Sequence, residues 1–300
     1  GVSWQSALQD ALPVGISADS FVAGVSPWTG PWLGPAPLLV AAGLGDAAMV
    51  SSLLKGHAAL TCHEEHNPAF CCSAGQRAIH TAAQRGHLDV IAVLLRHRAH
   101  VDDLDFRANT PLIVAASSGK VATIDFLLDR GACAQFRPKG SVTAFECAIV
   151  YRRAGVVQRM LSRGIGFQVH ANLGVQHLAA SIGSGEEVLR HLLGARASVD
   201  MAVRFTKWSR FWLLIQGAVL SHRLGNRSSF SKAAYHVSGA TPVMLAAIFG
   251  NWTEAHILLE ARADVHARND RGLDIRQIAR LFGVPAGVPS LCTELLLQAA

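Results

Sequence analysis

The residues of this 300-residue chain best suited by type to chemistry lie in one short run, Cys62-His63-Glu64-Glu65-His66-Asn67-Pro68-Ala69-Phe70-Cys71-Cys72. Zinc takes four nitrogen or sulfur ligands in a tetrahedral array, and Cys62, His63 or His66, Cys71 and Cys72 could supply them. The spacing fits poorly. Paired Cys-x-x-Cys knuckles are lacking, and His63 and His66 stand three apart, whereas a zinc hydrolase helix sets its two histidines at His-Glu-x-x-His. A polar finger loop without metal is the favoured reading, and no cofactor is expected. Nowhere does a nucleophile elbow, a phosphate-binding glycine loop or a kinase signature occur. The Gly-x-Gly strings at Gly43 to Gly45 and Gly183 to Gly185 read as helix ends, and Asp102-Asp103 and Glu186-Glu187 as solvent-facing turns or helix starts. The chain is therefore read as non-catalytic.

The elements that would position any site repeat along the chain. Asn109-Thr110-Pro111-Leu112-Ile113-Val114-Ala115-Ala116-Ser117-Ser118-Gly119 returns as Ala240-Thr241-Pro242-Val243-Met244-Leu245-Ala246-Ala247-Ile248-Phe249-Gly250. In that register units begin at Ala36, Arg77, Thr110, Thr143, Gly174, Thr241 and Asp274, and the differences between successive numbers are 41, 33, 33, 31, 67 and 33. A period near 33 marks a tandem array in which each unit buries its apolar face against its neighbours. The long step of 67 leaves a degenerate unit or an insertion between residues 201 and 240, and its length of about two periods favours the degenerate unit.

Each unit has the same physical plan. Thr110, Thr143 and Thr241 can cap a short inner helix, with Pro111 and Pro242 at the first helical position, where a missing N–H costs nothing. Alanine pairs at Ala41-Ala42, Ala82-Ala83, Ala115-Ala116, Ala179-Ala180 and Ala246-Ala247 allow close helix approach. Gly45, Gly86, Gly119, Gly183 and Gly250 are placed to end the inner helix in a left-handed turn. The outer helix shows its seam at Leu53-Leu54, Leu94-Leu95, Leu127-Leu128, Met160-Leu161, Leu192-Leu193 and Leu258-Leu259.

These features resemble the ankyrin repeat, whose Thr-Pro-Leu-His-x-Ala core is matched best by the units starting at Arg77, Thr110 and Thr241. The resemblance covers roughly residues 35 to 300 and implies an all-α ankyrin-repeat solenoid of about seven to eight helix-turn-helix units with finger loops. Residues 1 to 34, rich in Pro, Gly and Trp, read as a linker or a capping strap, and Pro289 to Ala300 as the last outer helix. The histidine of the family core survives only as His80 and His177, so stability must come mainly from packing. The glycine expected after the outer helix is kept at Gly131 and Gly164, while Arg98, Arg196 and Arg262 stand there in other units, each strained by about 1 kcal/mol if held at positive φ.

Half of the residues are hydrophobic and mean hydropathy is +0.28, yet no uninterrupted apolar run reaches the ~18 residues of a membrane span. Six scattered cysteines do not suggest a disulfide framework, which points to a reducing compartment, cytoplasm or nucleus. The chain begins with Gly1, which suggests a fragment or processed product. A net charge of +6 raises nucleic acid or an anionic membrane as partners, but the one loose basic cluster, Arg204, Lys207, Arg210, Arg223, Arg227 and Lys232, comes with no base-reading motif, and nucleic acid is disfavoured.

The resemblance also implies where a partner docks, since the two residues before the inner-helix glycine face the concave groove of an ankyrin array. In the early units these positions are mostly small or polar. In the later ones Val150, Tyr151, Ile182, Ile248, Phe249, Leu281 and Phe282 form a candidate docking strip. The alternative is that the segment 201 to 240, with Trp208, Phe211 and Trp212, folds back and covers it. The expected function is that of a monomeric, non-catalytic scaffold holding a protein partner on its concave face and fingers. Two alternatives are a regulatory arm of a longer enzyme or channel and a basic binder of nucleic acid or membrane surfaces.

Overall fold

The computed structural model describes residues 37–55, 77–105, 107–138, 142–166, 183, 185–195, 197–202, 210–225 and 228–285. All regular structure among the described residues is helical. Two compact units divide the chain, residues 1–148 and 149–300.

In the first unit the inner helices are α1 (Pro37–Leu44), α3 (Ala78–Arg85) and α5 (Pro111–Ser118), and the outer helices are α2 (Ala47–Lys55), α4 (Leu88–Arg96) and α6 (Val121–Asp129). Each inner helix packs on its own outer helix and on the next inner helix, while the outer helices line up in a second row. α7 (Ala144–Val150) spans the division. The second unit holds α8 (Ala154–Ser162), α9 (Glu186–Gly194), α10 (Arg210–Arg223), α11 (Ser229–Val237), α12 (Pro242–Phe249), α13 (Trp252–Glu260) and α14 (Ile275–Phe282).

Local chemistry sets the ends of these helices. The Thr110 hydroxyl accepts from the Ile113 N–H at 3.3 Å, with Pro111 in the first turn. Thr143 and Glu146 form a reciprocal pair, the Thr143 hydroxyl accepting from the Glu146 N–H and the Glu146 carboxylate from the Thr143 N–H. Thr241 departs from the expectation: its buried hydroxyl makes no cap and has no hydrogen-bond partner. The start of α12 rests on Pro242 instead, whose fixed φ suits a first helical turn. Gly86, Gly119 and Gly250 close their inner helices at φ 91, 77 and 76. Gly183 does not take the left-handed turn; the positive φ falls on Gly185, the residue before α9.

Packing follows the alanine pairs and the outer-helix seam. Ala82, Ala83, Ala115, Ala116, Ala246 and Ala247 are fully buried, as is the first member of each described outer pair from Leu94 onward: Leu94, Leu127, Met160, Leu192 and Leu258. Burying a side chain of that size contributes roughly 1.5–3 kcal/mol. His80 fastens one unit to the next finger, its Nε2–H donating to the carbonyls of Asp103 and Asn109 at 3.1 and 3.0 Å. Burial holds its pKa below the usual histidine value.

The segment between residues 201 and 240 is not the degenerate unit that its length favours. The outer helix α9 packs directly against α13, just as α8 packs against α9. A side chain repeats the same connection. The Asp102 carboxylate accepts from the Cys133 N–H at 3.1 Å, tying the unit at Arg77 to the unit at Thr110. Asp200, at the same place in its own Arg-Ala-x-Val string, accepts from the Asp264 N–H at 2.7 Å. The sequence separation is 31 in the first case and 64 in the second, so about one period of chain has been inserted without breaking the contact. α10 and α11 are that insertion, an antiparallel helix pair placed in the finger between the units at Gly174 and Thr241.

Arg98 and Arg262 are held at φ 68 and 62, as expected for residues standing in glycine's place; Arg196 lies outside the described residues. Arg152 (φ 58) takes the same conformation after α7. Since Arg98 and Arg262 are exposed, Arg98→Gly and Arg262→Gly should each stabilise the chain by about 1 kcal/mol in urea titrations, and Gly131→Ala should cost a similar amount. A loss of stability in both arginine variants would show that the strain is offset by contacts of the side chains.

Candidate protein-docking surface

An inner helix has two flanks taken up by neighbouring inner helices and one by its outer helix, so its remaining face and its last turn are what the stack leaves to solvent. The left-handed turn then leads the chain away, and the residues just before it stand at an open rim. In the first unit Leu44, Gln84 and Arg85 are exposed there, and Ser117 and Ser118 are half-buried. In the second, Val150, Tyr151, Phe249 and Leu281 are exposed, Tyr151 by 55 % and Phe249 by 58 %. Ile248 is only 6 % exposed and leaves the candidate set, because at the next-to-last position of α12 its side chain turns inward to the packed face. Phe282 is half-buried, for a reason given below. Ile182 lies outside the described residues, as do Cys62, His63, His66, Cys71 and Cys72.

Phe282 is covered by the insertion. Residues of α11 reach the C-terminal end of α14 and the finger that precedes it. At the first end Lys232 donates to the Leu281 carbonyl at 2.6 Å and sits 4.6 Å over the Phe282 ring. Farther along, His236 meets the edge of Phe282 at 5.9 Å. At the finger, Asn269 donates to the His236 carbonyl, Arg271 stacks 4.0 Å over Tyr235 and donates to its carbonyl, and the Asp270 N–H donates to the Ser238 carbonyl at 3.1 Å. The Ser238 hydroxyl also donates to the Asp270 carboxylate. Gly239, at φ 73, passes so close to Asp270 that no Cβ would fit. The apolar strip of the later units is thus divided: Phe282 packs against side chains of α11, while Phe249 and Leu281 stay exposed.

No spacing rule in the sequence placed Lys232, Tyr235 and His236 over the last inner helix. A usable signal was Asp200, whose match to Asp102 marks its unit as one awaiting the amide of the next. Of the thiols described, Cys133 is exposed, and Cys147 is buried, with its pKa pushed up to about 11 by burial, so it is a protonated core residue at neutral pH.

The hold of α11 has a proton-sensitive member. His236 is buried with its Nδ1 lacking a hydrogen-bond partner, and its pKa lies below the usual histidine value, first through burial and then through the positive charges of His222, Arg271 and Lys232 around it. A lowered folded-state pKa means that the unfolded or detached state binds a proton first. The contribution is therefore complete above pH ~6.5 and lost as pH falls below that value toward the folded pKa. Amide exchange in α11 should accelerate between pH 7 and 5.5 relative to α13, after correction for intrinsic rates, and His236→Gln should flatten that dependence. An unchanged profile in His236→Gln would assign the effect to another group.

Comparison with known proteins matches this architecture. Family profiles match residues 79–128, described as ankyrin repeats (many copies), and residues 238–270, described as an ankyrin repeat. Ankyrin repeat domain-containing protein 63 of Mus musculus is 34% identical over 99 residues, covering 32% of this chain and 23% of that protein. The Homo sapiens protein of the same name is 33% identical over 99 residues, covering 32% and 24%. A probable E3 ubiquitin-protein ligase, XBOS31, of Oryza sativa subsp. japonica is 34% identical over 125 residues, covering 41% of this chain and 27% of its own length. This chain therefore spans about a quarter of the curated relatives it matches. The crystal structure of the human ASB11 ankyrin repeat domain superposes with a TM-score of 0.59 at 19% identity, over 89% of this chain and 99% of that one, a likeness of fold. The helix pairs, their caps and turns and these matches identify ankyrin repeats at residues 79–128 and 238–270 and an ankyrin-like fold in the described residues.

Proposed function

We propose that the chain is a non-catalytic protein-interaction module that holds a protein partner on the open inner-helix ends and fingers of its repeats. The observation that carries this reading is the exposure of Val150, Tyr151, Phe249 and Leu281, large apolar side chains in the same register of three repeats. A fold of this kind spends its alanines and leucines on the stack and has no internal use for an apolar rim, whereas a central aromatic anchor is what a partner surface reads. Leu281 stands beside α11, its carbonyl accepting from Lys232, so the insertion borders this part of the partner's contact.

A second reading is favoured by the quarter-length match to a probable E3 ubiquitin-protein ligase: the repeats are the partner-selecting arm of a longer protein whose activity resides elsewhere. The two readings agree about the surface and differ about what is joined to it. Affinity capture from native lysate separates the surface claim from its rivals. Tyr151→Asp with Phe249→Asp, kept helical by circular dichroism, should weaken capture of a specific protein by at least about tenfold, the scale of a lost aromatic anchor. Capture that is indifferent to both substitutions would remove this rim from the account.

A further inference from the structure

The inserted segment carries charge of which the repeats engage Lys232. Between Asp200 and Glu254 the chain has no acidic residue, yet it holds Arg204, Lys207, Arg210, Arg223, Arg227 and Lys232. Those six equal the whole net charge of +6, so the remainder of the chain is balanced. The pair has its own small core, Ala218, Val219 and Ala234 with Tyr235 packed on it. Its attachments to the repeats run through Lys232, Tyr235, His236 and Ser238.

Large apolar side chains are exposed on either side of the connection between the two helices. Leu224 is 79 % exposed, and Leu220 and Phe230 are 57 % exposed each. Leu220 lies in the last turn of α10, and Leu224 stands just past its end, its N–H donating to the Leu220 carbonyl at 3.0 Å. Gly225, at φ 95, starts the turn, and Phe230 lies in the first turn of α11 on its far side. Arg223, also exposed, adjoins Leu224. Three large apolar side chains at the tip of a purely cationic segment ask for an environment that is anionic at its surface and apolar just beneath. A nucleic acid satisfies the charge and leaves Leu220 and Leu224 in water. A bilayer rich in anionic headgroups satisfies both.

We propose that the α10–α11 pair docks this chain on the surface of an anionic lipid bilayer, with Leu220, Leu224 and Phe230 entering the headgroup and acyl boundary and Arg223 at the headgroups. The segment's remaining positive charge supplies the long-range attraction. α10, at 14 residues, is about 21 Å long and too short for the ~30 Å hydrocarbon core, so the association is peripheral. This inference is independent of the protein-partner reading, which concerns the other exposed rim.

Co-sedimentation of the full chain with phosphatidylcholine vesicles containing about a third phosphatidylserine tests it, with pure phosphatidylcholine vesicles as the reference. The expected result is binding to the mixed vesicles and not to the neutral ones, weakening as salt is raised. Leu224→Asp with Phe230→Asp should reduce it by at least about tenfold, and Arg223→Gln by about fivefold. These side chains are exposed, so circular dichroism should be unchanged. No binding to the mixed vesicles overturns the proposal, and so does binding indifferent to Leu224→Asp with Phe230→Asp, which would be attraction by charge alone. Binding of a duplex or single-stranded oligonucleotide with none of the vesicles would assign the segment to nucleic acid instead.

Discussion

No unit of this chain can bury its apolar face by itself, and the close approach of neighbouring helices at the alanine pairs is where that dependence acts. Ala82-Ala83, Ala115-Ala116 and Ala246-Ala247 are fully buried. A methylene added at such a point would separate two helices and loosen the seam of Leu94, Leu127 or Leu258 behind them, since overpacking in a dense core costs roughly 1–3 kcal/mol. Side-chain bonds to the next unit's backbone add register to this packing. His80 reaches the following finger, and Asp102 and Asp200 reach the amide two residues past the next outer helix's left-handed turn. Since each bond joins nearest neighbours only, the array tolerates additions at its fingers.

The α10–α11 insertion exploits that tolerance. Lengthening a loop by one period costs little chain entropy, because the closure term grows only with the logarithm of length. The added helices also make their own core, so they bring their own stabilisation. What changes is the surface: Lys232 and His236 cover Phe282, and the apolar side chains shown to solvent move to the rim beside α11 and to the tip at Leu220, Leu224 and Phe230. An ordinary finger could have done neither.

The repeat plan was legible in the sequence because its signals are local. Thr110 beside Pro111 and the glycine at 119 specify the start and stop of α5 without reference to anything distant, and Arg98 and Arg262 announced their positive φ by standing where Gly131 stands. Features set by tertiary placement were not legible. Thr241 has the same neighbours as Thr110, yet its hydroxyl makes no cap. Ile248 and Phe249 are equally apolar neighbours, and only the packing of α12 decides that the first is buried and the second exposed. Length alone favoured an extra repeat between 201 and 240, whereas the partner of Asp200 lies 64 residues away, beyond the reach of any periodicity.

The central claim is that the stack passes directly from the unit at Gly174 to the unit at Thr241. Excising residues 203–238 and joining the ends with a short finger copied from residues 103–109, then following amide exchange, tests it most directly. If α9 and α13 are neighbours in their own right, α13 and the Asp264 amide remain protected and only the surface formerly under α11 gains exchange. Joint loss of protection in α13 and at Asp264 would show that the helix pair is itself a member of the stack and would contradict this account.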